Sequence, residues 1–244
     1  MSTPHTGNQA RQVEQVVTPQ LVSEGAGVRL RRMIGHRALD YLDPFLLLDD
    51  FSSDDPADYE KGFPMHPHRG IETVTYVLAG EVEHRDSLGN EGRITPGDVQ
   101  WMTAGRGIMH EEMPHPRAGR MAGFQLWVNL PASLKYTAPR YQDLTGDQIP
   151  VVHREGAGIH VIAGQLDGMR GPVLGPGRLQ GETKEIEPLY LDVAMAPGST
   201  FRQPVERGHT LFAYLFKGQA RFGAGEGTEG ETVAARRLVV FGDG

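Results

Sequence analysis

The chain has 244 residues, a formal net charge of -7 and no cysteine. That length accommodates two domains of ordinary size, the acidic balance argues against direct binding of nucleic acid, and the missing thiols exclude disulfides, thiolate metal sites and cysteine nucleophiles. Residues 1–20 are polar and lack the apolar core of a secretory leader, and no apolar run approaches the ~18 residues that span a bilayer, so a soluble cytoplasmic protein without a membrane partner is expected, or a nuclear one in a eukaryote.

With 32 glycines, 17 prolines and no long run at helical period, the composition favours many strands joined by turns, a mainly β protein. After the polar start, Val22 to Gly35 is expected as strands about the turn Gly25-Ala26-Gly27. Its basic cluster (Arg29, Arg31, Arg32, Arg37) and the acidic residues from Asp49 to Glu60 read as solvated surface or ion pairs. Phe45-Leu46-Leu47-Leu48 suits a strand buried on both faces, and Asp49 to Phe63 has loop composition. Strands follow at Glu72–Leu78, Glu81–Asp86, Val99–Met102 and Phe124–Leu130, separated by Ala79-Gly80, Leu88-Gly89-Asn90 and Pro96-Gly97-Asp98. Pro131 to Pro150 reads as a connector.

Beyond the connector the chain repeats itself. Arg69 to Gly80 aligns without a gap on Arg207 to Gly218, an offset of 138 residues, which predicts two similar units in tandem. In this register His66 falls on Pro204, His68 on Glu206 and Glu72 on Thr210, so the second unit is expected to hold no metal. Val239–Asp243 aligns on Ile94–Asp98, after which the first unit has further strands and the second has only Gly244. The second unit is therefore expected to lack its closing strands, and the polypeptide to continue or be covered by another chain.

Two segments carry the chemistry, Met65-His66-Pro67-His68-Arg69-Gly70 and Gly107-Ile108-Met109-His110-Glu111-Glu112-Met113-Pro114. Alternate side chains of a strand share a face, so His66 and His68 point one way, as do His110 and Glu112. If the strands meet inside a barrel, three imidazoles and one carboxylate surround a point with positions left for water, oxygen or substrate, the plan of an open catalytic metal site. Paired histidines also occur at protein surfaces without a metal, so spacing alone leaves both readings open. Glu72 is the rival carboxylate, on the same face as His68 by parity. Glu111 should face the opposite way, toward solvent. Gly105 and Gly107 suit a sharp turn that sends His110 inward, Met65, Met102, Met109 and Met113 suit a soft pocket wall, and Trp101 fits either the pocket or the core. The remaining histidines (5, 36, 84, 115, 153, 160, 209) have no paired ligand at strand spacing and read as structural.

HPHRGIETVTYVLAG, PGDVQWMTAGRGIMHEEMP and QLWVNLP resemble the signature segments of the pirin family of bicupins, and DPFLLLDDF is similar to its opening segment. The likeness runs from about Val22 to the last residue. It implies two cupin-type β-barrels: residues 21–140 with a metal site after the polar tail 1–20, and residues 141–244 without one. It implies one divalent metal, iron(II), held by His66, His68, His110 and Glu112; the donors alone would also suit manganese, nickel, copper or zinc. The position of Glu72, a ligand in many single-site cupins, is not one in pirins. The implied activity is oxygen-dependent cleavage of flavonols such as quercetin (quercetin 2,3-dioxygenase type), with Glu112 as the base and a small aromatic or enolic substrate and O2 as partners. The alternative is a metal- and redox-responsive regulator that acts through a protein partner without turnover.

Overall fold

The computed structural model describes residues 10–115, 119–174, 188–225 and 228–243; His5 and Gly244 lie outside them. Among these residues the regular structure is β-strand apart from short 3-10 turns, as the turn-rich composition leads one to expect, and no helix is long and apolar enough to cross a membrane. The first unit contains β2 (Gln20–Glu24), β3 (Val28–Ile34), β4 (Phe45–Asp50), β5 (Phe63–His68), β6 (Ile71–Ala79), β7 (Glu81–Asp86), β8 (Glu91–Ile94), β9 (Val99–Thr103), β10 (Ile108–His115), β11 (Ala122–Asn129) and β12 (Arg140–Leu144). β1 (Val13–Val17) precedes it. The second unit comprises β13 (Val151–Arg154), β14 (Ala157–Ala163), β15 (Gln165–Leu166), β16 (Met169–Arg170), β17 (Tyr190–Met195), β18 (Leu211–Leu215), β19 (Gln219–Phe222), β20 (Glu231–Ala234) and β21 (Arg237–Phe241).

The first unit is a sandwich. A seven-stranded sheet in the order β12-β9-β6-β11-β4-β3-β2 faces a four-stranded sheet in the order β5-β10-β7-β8. Strand periodicity sorts their residues. On β6 and β11, Val74, Tyr76, Phe124, Leu126 and Val128 point away from the smaller sheet into a core shared with the second unit, together with Trp101 of β9. On the opposite face Thr75 and Gln125 look across to Glu112 on β10, and Val77 packs with Val82 and Ile94 of the smaller sheet. Two sheets face each other in place of the expected barrel: among the described residues no sheet closes on itself. Side chains rather than a hydrogen-bond ladder join the two sheets, so the sandwich keeps open edges at β2, β12, β5 and β8.

The second unit is less continuous, with β13-β14-β17 in one sheet, β19-β20 as a pair, and β18-β21 completed by β1 from the start of the chain. Val13, Val16 and Val17 are the apolar residues of β1, which lies antiparallel on β21, with Val17 buried in the shared core. Part of the polar start is therefore a strand of the far unit. Within the expected connector, β12 pairs with β9 and belongs to the first unit's sheet.

The two units are also joined by phenols. Tyr76 Oη donates to Asp192 at 2.9 Å and Tyr214 Oη donates to Asp50 at 2.6 Å. Tyr76 and Tyr214 are repeat equivalents at the offset of 138, so each unit offers the same tyrosine to an aspartate of the other. The charged clusters near the start form ion pairs, as expected: Arg32 makes a two-pronged contact with buried Asp49 at 2.8 and 2.9 Å and reaches Glu24, while Arg29 meets Asp58.

Candidate metal centre

β5 and β10 run antiparallel with His66 opposite His110 and His68 opposite Ile108. On its other side β10 pairs with β7, setting His110 opposite Asp86 and Glu112 opposite His84. Alternation then sends these side chains to the inner face. A register shift between His110 and Glu112 on the β5 side brings Glu112 opposite Phe63. The turn before β10 depends on glycine: Gly105 has φ +51°, and a Cβ there would stand 2.2 Å from the Thr137 carbonyl oxygen.

The donor atoms of His66, His68 and His110 all lie within 4.8 Å of one another, the only such group of three or more among the described residues. Ring centroids are 4.6 to 4.9 Å apart. His66 Nδ1 lies 2.9 Å from the Pro64 carbonyl oxygen, which can only accept, so Nδ1 carries the proton and Nε2 the lone pair. That Nε2 approaches His68 Nε2 at 3.0 Å. His110 is 1% exposed, and neither of its ring nitrogens has a protein partner. Stranding a buried polar atom costs ~1–3 kcal/mol. One cation shared by the three imidazoles would take one nitrogen from each ring, including one of the two that His110 leaves without a partner, so the residues fit a divalent metal of the first transition row or zinc.

Electrostatics agree with ligand duty. Burial pushes the His68 imidazole down to about 4, helped by its neighbours His110 and His66. Burial also lowers His110, against the pull of Glu112. Both rings are thereby kept in the neutral, metal-binding form. Burial alone would raise the Glu112 carboxyl, but His110, a Gln125 hydrogen bond and the other two histidines together hold it below the usual range.

Glu112 shares the cavity face with the histidines but stands outside the 4.8 Å group. Its oxygens accept from Gln125 Nε2 at 2.8 and 3.1 Å and from Thr75 Oγ1 at 3.1 Å. Glu72 differs from its parity reading. The chain reverses at Gly70, where φ is +72°, so the alternation that runs through His68 does not carry into β6. Glu72 consequently lies on the outer face, accepting from Thr103 Oγ1 at 2.6 Å. Glu111 faces away as expected and pairs with Arg85 across the strands. Trp101, buried in the shared core, does not line the site. Met65 and Met109 are half-exposed while Met102 packs with Ala104 and Ile108. His36, His84, His115, His153, His160 and His209 stay outside the metal-type group, although His84 is buried beside the site, its ring centroid 5.4 Å from that of Tyr141.

Sequence reasoning missed Gln125 and Trp127. Trp127 sets its ring edgewise to His68 with centroids 5.0 Å apart, and its Nε1 donates to Gln125 Oε1 at 3.2 Å. The signal was the period-two pattern of Phe124-Gln125-Leu126-Trp127-Val128-Asn129, whose even positions are apolar core and whose odd positions must face the other way.

A β-sandwich in which three imidazoles, two of them buried, converge beside a hydrogen-bonded carboxylate defines a cupin-type protein with a candidate metal site. The sequence model of the pirin family matches residues 27–128. A pirin-like protein of Caulobacter vibrioides is 47% identical over 213 residues, 86% of this chain and 74% of the relative. Human pirin is 41% identical over 223 residues, covering 91% of this chain and 71% of that protein. Among solved structures, a quercetin 2,3-dioxygenase from Acinetobacter baumannii aligns with a TM-score of 0.80 and 29% identity over 96% of this chain and 80% of that one. The chain belongs to the pirin family. Family and site together support a metal-dependent oxidase or dioxygenase chemistry of the cupin kind.

Proposed function

We propose that the protein is an iron-dependent dioxygenase acting on flavonols such as quercetin, with His66, His68 and His110 as metal ligands and Glu112 as both a fourth donor and the catalytic base. The observation that carries this reading is the convergence of three imidazoles around His110, whose two ring nitrogens are buried without a protein partner. The paired barrels that the family implies belong to the same reading, with the second unit free of metal because Pro204 and Glu206 stand at the repeat positions of the two histidines.

A redox-active divalent metal supplies a Lewis-acidic centre that holds an enolic oxygen and mediates electron flow to O2. The chain supplies the rest. Glu112, buried and held ionised, takes the proton of the flavonol 3-hydroxyl in this reading. Thr75 and Gln125 keep that carboxylate oriented, and Trp127 steadies the His68 ring. Burial of His68, His110 and Glu112 excludes bulk water and strengthens each polar contact.

The test follows flavonol loss by visible absorbance, with oxygen uptake in parallel, for iron-loaded wild type, His110→Ala and Glu112→Gln. Wild type is expected to exceed free iron and His110→Ala to fall to it. Glu112→Gln should lose ~10²- to 10⁴-fold while still holding metal, the usual cost of removing a general base. A loaded wild type no faster than free iron would overturn the enzyme reading in favour of a metal-responsive regulator that binds a protein partner.

A further inference from the structure

The hydrogen bonds behind Glu112 form a chain with a fixed direction. An indole N–H can only donate, so Trp127 Nε1, 3.2 Å from Gln125 Oε1, requires the amide oxygen on its side. The amide nitrogen must then face Glu112, where it donates to Oε2 at 2.8 Å and Oε1 at 3.1 Å. Thr75 adds a donor to Oε1 at 3.1 Å. All three donors sit on the seven-stranded sheet, opposite the strands that carry the histidines. Gln125 and Thr75 draw the carboxylate toward β11 and β6, and it stands outside the group in which the three imidazoles converge. Trp127 also packs on His68, so one side chain touches a ligand ring and, through Gln125, sets the position of the carboxylate.

We infer that Gln125, locked by Trp127, is a positioning residue that holds the Glu112 carboxylate back from the three histidines and makes it a displaceable donor to the metal rather than a fixed ligand. The inference rests on the metal-site reading above and adds a sign to it. The amide and the metal compete for the same oxygens, so removing the amide tightens metal binding. A merely structural glutamine would loosen the site when removed.

Cobalt(II) is the probe, since its visible bands report coordination number and donor type without turnover. Apo-protein is loaded with cobalt, the spectrum is recorded, and release to an excess of chelator is timed for wild type, Gln125→Leu, Trp127→Phe, Glu112→Gln and the Gln125→Leu/Glu112→Gln double variant. Gln125→Leu is expected to change the visible bands as the carboxylate passes from a displaceable to a fixed donor, and to slow release about tenfold, the scale of one hydrogen bond to a charged group. Trp127→Phe, which keeps an aromatic ring beside His68 but loses the N–H together with the five-membered part of the indole, should shift both readouts the same way by less. In the Glu112→Gln background, Gln125→Leu should change neither. Faster release from Gln125→Leu, or wild-type spectra and rates from both Gln125→Leu and Trp127→Phe, would overturn the inference and leave the metal site standing. Wild type that takes up no cobalt would overturn the metal-site reading and this inference with it. Should Gln125→Leu fail to fold, Trp127→Phe decides alone.

Discussion

His68 shows how one residue's burial becomes a property of the protein. Its folded value is about 4, against about 6.5 in an unfolded chain. Between those values the unfolded chain binds a proton that the folded apo-protein refuses. The stability contributed by a neutral His68 is therefore complete above pH 6.5 and lost as pH falls toward 4, by up to about 3 kcal/mol. Melting temperature against pH should fall across that window for the apo-protein and fall less for His68→Gln. Equal slopes in the two proteins would show that His68 is not the group titrating. The same residue scale explains what the sequence could not disclose. His66, His68 and His110 were legible because paired ligands at i, i+2 need only one strand each to be aligned. Gln125 became visible as a partner of Glu112 only when β11 was seen to cross beneath β10, a long-range contact that no local spacing encodes.

At the scale of elements, the site is a consequence of register. The alternation of β5 and β10 was readable from sequence and sends three histidines to one face, whereas Glu72 was misassigned because a left-handed residue at Gly70 resets the alternation before β6 begins. Parity arguments hold within a strand and fail across a turn. The turn at Gly105 is the matching device on the other side, since its φ of +51° and the Thr137 oxygen 2.2 Å from a built Cβ leave no room for a side chain. Gly105→Ala should cost about 1–3 kcal/mol by displacing the 104–107 turn against the Thr137 carbonyl, and it should weaken metal binding along with stability because β10 carries His110. A variant as stable as wild type would mean that this turn does not set the approach of β10.

For the whole molecule, the sequence repeat at 138 residues was plain, yet the way the two halves of the chain meet was not. The pairing of β1 with β21 was hidden because a five-residue strand with three valines and no regular alternation, set in a hydrophilic segment, does not announce its partner. The facing tyrosines were hidden for the same reason, although Tyr76 and Tyr214 occupy equivalent positions. Burial pushes both phenols up, and the aspartate facing each adds to the shift, so both remain donors at all ordinary pH. Tyr76→Phe and Tyr214→Phe should each cost about 1–3 kcal/mol by leaving a carboxylate short of a donor. Their effects should be non-additive, because the Phe124 ring contacts both tyrosines at 6.5 and 5.4 Å; strict additivity in denaturant melts would show that the two bridges do not share a core. We propose one metal on His66, His68 and His110 as the seat of oxygen chemistry. The decisive measurement loads apo-protein with iron(II) in steps under anaerobic conditions, then admits air and quercetin and follows oxygen uptake at each ratio. Uptake should rise linearly and break at one iron per chain, whereas a break at two, or no uptake above that of free iron, would contradict it.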